Sequence, residues 1–147
     1  MNILGFAAGV AGGAVFLALC PTDSFLHALG IRLGIGGTAS QVLVHLAVSG
    51  AAGMLFGWSV GCLAGTAANG VLFGTAYGMI LWLLGSAVPT PWQAVGHAGM
   101  RLPATPEALS LVLAHIGYGV VTGLVYGVCQ QCTHRCAVHR RAREQST

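Results

Sequence analysis

Charge is what this chain has least of. Of its 147 residues only 6% are charged, there is no lysine, and the acids number three. A soluble domain carries about 25% charged residues, so a surface built from this sequence cannot face water on all sides. Two of the acids, Asp23 and Glu107, lie outside the C-terminal stretch, and no two carboxylates are placed to work as an acid–base pair. No loop matches a phosphate cradle, no serine has an obvious base, and four arginines near the C-terminus are too few to argue nucleic-acid binding. No catalytic residues are assigned, and the reading leans away from an enzyme. Proline is scarce as well, and four of its five copies fall between Pro89 and Pro106.

What remains is apolar: 55% of the chain. Stretches free of Asp, Glu and Arg run over Met1–Thr22, Leu33–Met100 and Ala108–His134. Crossing the hydrocarbon takes about 20 apolar residues. The middle stretch has room for two spans and each flanking stretch for one. The expected fold is an all-α integral membrane four-helix bundle, with spans near 3–20, 41–62, 70–88 and 108–129. It forms one transmembrane domain over residues 1–130, followed by a basic cytoplasmic tail over 131–147. The bilayer is then the first partner. Arg135, Arg140, Arg141 and Arg143 follow the last span, and positive segments stay cytoplasmic. Both termini are therefore expected inside a bacterial inner membrane, with Arg32 and Arg101 in the outer loops. The start has no basic n-region and does not read as a cleavable signal. "LALC" at Leu17–Cys20 resembles a lipoprotein box, but the leucine before the cysteine is too large for that processing.

Sliding the chain by 70 residues aligns it with itself. Pro21 meets Pro91, His27 meets His97, and His45 meets His115; in all there are nine identities over the 37 positions from Pro21 to Gly57. Chance in so biased a composition gives about three or four, and repeats of this kind mark duplicated architecture. Cys62 opposite Cys132 extends the match. The spacing predicts two tandem helical hairpins, residues 1–62 and 70–130, related by a pseudo-two-fold axis along the membrane normal. The first and third spans align only after a small shift.

Glycine is abundant, at 23 residues. It recurs every fourth position: Gly5, Gly9 and Gly13; Gly53, Gly57 and Gly61; Gly70, Gly74 and Gly78; Gly119, Gly123 and Gly127. Residues four apart share a helix face. In lipid, close backbone approach replaces the hydrophobic drive, so these rows predict a glycine-zipper bundle. They also leave faces for self-association or for other membrane subunits.

His45 and His115 fall at similar depth in the outer half of the membrane. Ionisable groups inside a span usually face the bundle interior, so the repeat brings two imidazoles towards one axis. Several readings are open. Each imidazole can donate to a carbonyl or hydroxyl of a neighbouring helix, with Thr122, Ser49 or Tyr118 as candidates. The pair can be axial ligands of a b-type haem in an electron-transfer subunit. With His27 and His97 folded over the bundle, four imidazoles can hold zinc or copper. Proton relay, or a small transporter along the axis, is a further class. At the C-terminal end Cys129, Cys132, Cys136 and His139 recur at three and four and offer soft ligands, but one helix cannot wrap four donors around a metal. The preferred reading there is a basic juxtamembrane segment. Trp82 and Trp92 suit the outer headgroup level. "FLHALGIRLGIGG", Phe25 to Gly37, is expected as a short interfacial helix, and Thr105-Pro106-Glu107 reads as a helix start.

Between His45 and Arg143 the chain resembles the bacterial inner-membrane proteins of the YagU type. The likeness lies in "HLAVSGAAGMLFG", in "ILWLLGSAVPTPW" ending in a proline-rich turn, and in Glu107 eight residues before His115. This chain lacks a long outer loop and is richer in glycine. The resemblance implies a polytopic inner-membrane location and no activity.

Overall fold

Four α-helices follow one another without strands among the described residues. They are α1 (Ile3–Leu19), α2 (Thr38–Ser59), α3 (Ala67–Ala87) and α4 (Pro106–Glu144). The computed structural model describes residues 3–20, 30, 34–87 and 106–144, with side chains for 3–20, 30, 34–85 and 109–133. His27, His97, Trp92 and most of Phe25–Gly37 lie outside the described residues.

Three helices, over Thr38–Ser59, Ala67–Gly85 and Leu109–Thr133, are long and apolar enough to cross a membrane. Helix α1 is equally apolar but has 17 residues, about 26 Å of rise. The chain has the character of a helical membrane protein. Its interior holds small residues beside the aromatic rings of Phe16, Phe56, Tyr118 and Tyr126, and its surface is apolar. Ala8, Ala64 and Ala114 are fully buried, while Leu43, Val48, Leu55 and Trp58 on α2, and Leu72, Ile80 and Leu84 on α3, are exposed. In water such a surface invites aggregation; against lipid it costs nothing, and small residues inside let helices approach.

The helix ends follow local chemistry. Helix α2 starts after Gly34 and Gly37, both at positive φ, a conformation that favours glycine. It stops at Ser59, three residues earlier than the sequence suggests, where Val60 N–H closes on the Phe56 carbonyl. Gly61 is therefore in the turn and not in a span, although it still packs on the Gly57 carbonyl and the Tyr126 hydroxyl. Thr66 Oγ1 accepts from Asn69 N–H at 3.2 Å, the N-cap arrangement, and so α3 begins earlier than expected. Pro106 opens α4 as its first residue.

The largest departure is at the other end of α4. The expected separate tail is a continuation of the same helix, through Cys136 and His139 to Glu144. Gln, Ala, Arg and Glu are good helix formers, and no proline interrupts the run. The helix has 39 residues, about 58 Å of rise.

Helix α1 packs along both α2 and α4, and α3 packs along α4. Glycine stands where backbones meet. A Cβ on Gly5 would land on the Gly53 carbonyl, one on Gly9 would reach the Ser49 carbonyl and Gly53 Cα, and one on Gly13 would meet Ser49 Cβ at 2.6 Å. On α3, Gly70 abuts Gly123, Gly74 abuts Gly119 and Gly123, and Gly78 abuts His115 and Gly119. On the α1–α4 side, Gly12 faces Thr122 and the Tyr118 carbonyl. These glycines are occupied within the chain and are not spare surface for a second copy.

Candidate functional site

Phe16 of α1 stands at the middle of the polar layer. Its ring centroid is 5.1 Å from that of His45 on α2 and 4.9 Å from that of His115 on α4. The helix register sets this up. In each of the α1–α2 and α3–α4 hairpins the imidazole-bearing helix runs antiparallel to a glycine-bearing one, so His45 meets the level of Gly13 and His115 that of Gly78.

His45 is buried. Its Nε2 lies 3.3 Å from the Gly13 carbonyl oxygen and 3.4 Å from Ser49 Oγ. With the proton on Nε2 the ring donates to the carbonyl; in the other tautomer Nε2 accepts from the Ser49 hydroxyl. Ser49 therefore does have a neighbouring base, which the sequence signalled by the four-residue step from His45 to Ser49. No reaction follows. Ser49 is buried against α1, its side chain lying where Gly13 leaves room only for hydrogen, and no substrate atom fits between them.

His115 is held differently. Its Nδ1–H donates to the Leu111 carbonyl of its own helix at 2.9 Å, where a partner on a neighbouring helix was expected. A ligating imidazole is commonly steadied through its other ring nitrogen in this way. His45, however, is engaged through Nε2, and the Phe16 ring fills the place between the two rings. The donor set does not present two opposed free nitrogens to a haem iron without displacing Phe16.

Three phenols converge on α2. Tyr118 OH donates to the Ser49 carbonyl at 2.8 Å, Tyr77 OH to the Ala52 carbonyl at 2.7 Å, and Tyr126 OH to the Gly57 carbonyl at 3.4 Å. The chain has three tyrosines, so every phenol donates to the backbone of one helix. The Phe56 ring packs edge-on to Tyr77 and Tyr126, at 5.4 and 5.7 Å. Sequence inspection missed this set, because hydrogen bonds to backbone carbonyls leave no periodic signature. Thr122 is fully buried against Gly12, and its hydroxyl is a buried polar group without a hydrogen-bond partner.

Cys129 is half-buried, Cys132 and Cys62 are exposed, and all three are free thiols. The backbone of α4 carries Cys136 and His139 further along the same helix, and their side chains lie outside the described set. Among the described residues no three His, Cys, Asp or Glu are grouped to hold a metal ion.

The architecture defines a class, a helical membrane protein. Comparisons with protein-family models, with curated proteins and with solved structures return no match.

Proposed function

We propose that the chain is a four-span inner-membrane protein made of two tandem hairpins, and that its role is that of a structural or partner-binding membrane subunit. The carrying observation is a correspondence of contacts. Gly5, Gly9 and Gly13 meet Gly53 and Ser49 in the first hairpin as Gly70, Gly74 and Gly78 meet Gly123, Gly119 and the His115 backbone in the second. The first helices correspond at a shift of 65 residues and the second at 70, which accounts for the imperfect alignment of spans one and three. Phe56 and Tyr126, one shift of 70 apart, touch each other, as residues beside a two-fold axis must. On this reading the glycine rows zip each hairpin, α1 spans with the other three helices, and both termini share the cytoplasmic side. The likeness to YagU-type proteins fits the same picture.

The non-catalytic role is supported by the state of the interior. His45 and the three phenols are engaged with carbonyls and Ser49 with the His45 ring, which argues against a polar row for a transported solute among the described residues. A haem-bearing electron-transfer subunit is the second reading, favoured by His115 being steadied through Nδ1 and opposed by the position of Phe16. An absorption spectrum of protein purified from haem-replete cells decides between them. A colourless, folded preparation supports the subunit reading. A Soret band that disappears in His115→Ala overturns it.

A further inference from the structure

One acceptor of the imidazole layer is left over. His115 Nδ1–H donates to the Leu111 carbonyl at 2.9 Å. A neutral imidazole has one donor and one acceptor nitrogen, so this bond keeps the proton on Nδ1 and leaves Nε2 as a bare lone pair. Among the described residues nothing donates to that lone pair; the ring's other contact is the Phe16 ring, T-shaped to it at 4.9 Å. His45 differs, since its Nε2 has both the Gly13 carbonyl and Ser49 Oγ within reach. Thr122 Oγ1 is also without a partner, but Gly12 lies so close to it that no ligand atom fits there. His115 is only half-buried, so part of its ring meets the exterior.

The surroundings decide what can meet this lone pair. His115 lies six residues, about 9 Å of rise, inside the Leu109–Thr133 helix that is long and apolar enough to cross a membrane. Water satisfies such an acceptor in a soluble protein, but it is scarce in hydrocarbon, where an unpaired polar atom is costly. Phe16 belongs to a buried cluster with Ala114 and Tyr118, against which Leu81 and Leu111 pack. An ammonium or guanidinium donor would carry a charge into this apolar setting, at a cost greater than one hydrogen bond returns. A metal ion would find no group of three His, Cys, Asp or Glu among the described residues. What remains is a neutral hydroxyl on an apolar body. A phenolic hydroxyl suits best, because it is a stronger donor than an alkyl one and its ring packs edge-to-face or offset with a neighbour such as Phe16.

We propose that His115 Nε2 is the acceptor of a binding site for a membrane-dissolved phenol or hydroquinone. The ligand's O–H donates to Nε2, its ring lies against Phe16, and its alkyl chain stays among the lipids. The site goes beyond the subunit role above and does not rest on the two-hairpin repeat.

The test uses full-length protein in lipid nanodiscs, with isotope-labelled histidine and solid-state NMR. The probe is para-nonylphenol. Its methyl ether, para-nonylanisole, has the same body without the hydroxyl proton, and decanol offers an aliphatic hydroxyl. The signal read is the non-protonated ring nitrogen of His115, identified by its loss in His115→Leu. The expected result is that this signal moves towards the protonated position as para-nonylphenol is added and stays in place with para-nonylanisole. Binding of para-nonylphenol above that of empty nanodiscs should weaken several-fold, up to about tenfold, in His115→Leu. A signal unmoved at saturating para-nonylphenol overturns the site, and so does an equal shift from the ether. An equal shift from decanol overturns the phenol in favour of an aliphatic lipid hydroxyl. Should His115→Leu fail to fold, the shifts in the parent protein still decide, with assignment through the bonds of the labelled residue. Failure of the subunit reading shows separately, as a Soret band before any phenol is added.

Discussion

The phenol of Tyr118 donates to the carbonyl of Ser49 across 69 residues of sequence, and Tyr126 reaches Gly57 across the same separation. Helix α2 is thus tied to α4 by side chains two turns apart, in step with each other, and to α1 by close glycine contacts together with the His45–Gly13 hydrogen bond. Phenol hydrogen bonds and glycine contacts respond differently to mutation.

Removing the Tyr118 hydroxyl with Phe preserves the ring and deletes one buried donor. Its acceptor, Ser49 O, keeps its place in the helix ladder, so no orphaned group remains. The expected loss is about 0.5–1.5 kcal/mol, read as a lower midpoint in denaturant unfolding from detergent micelles. Tyr126→Phe should cost less, since its bond to Gly57 is 3.4 Å long.

The backbone seams should be far less forgiving. A side chain at Gly123 would collide with the backbone of Gly70 and Gly74 on α3, and backbone cannot rotate aside. Gly123→Val is expected to cost about 3 kcal/mol, the upper end of overpacking penalties, with loss of the folded species in gel filtration. Gly85 has nothing within 4 Å of an added Cβ, and Gly85→Ala should be neutral or stabilising by up to about 1 kcal/mol. Equal damage from the two substitutions would contradict the packing.

His45→Ala removes the ring that touches Phe16, the Gly13 carbonyl and Ser49. The combined loss of a hydrogen bond and of ring packing should cost about 1–3 kcal/mol. Thermal unfolding checks this, and the visible spectrum of the variant should match that of the parent.

Sidedness follows from thiol exposure. Cys62 and Cys132 are exposed and Cys20 is buried. If both termini are cytoplasmic, as proposed, a membrane-impermeant maleimide should label the first two in inverted vesicles and spare them in sealed, right-side-out cells. Cys20 should react only after denaturation. Labelling of Cys62 and Cys132 from opposite sides would refute a common end for the α2–α3 turn and the C-terminal helix.

Much of this was legible beforehand, for physical reasons. Absence of charge located the helices, because desolvating an ionised group in lipid is costly enough to leave its mark on composition. The abundance of glycine was legible as well, and individual glycines stand where a Cβ would meet a neighbouring helix, as Gly9 does against Gly53. Helix ends were read less well: Val60 and Thr66 terminate and restart helices through hydrogen bonds that the apolar pattern does not register. The basic segment expected over 131–147 gives no apolar period, so the continuation of α4 to Glu144 rests on the helix preference of its residues. Within the site, His45 and His115 could be singled out as costly groups, but Phe16 could not. One phenylalanine among many apolar residues carries no sign that it will sit between two imidazoles.

The unbroken course of α4 has a mechanical consequence. A single helix that begins at Pro106 and runs to Glu144 has no joint along its length of about 58 Å. A tilt at its C-terminal end would be carried along the rod to the level of His115.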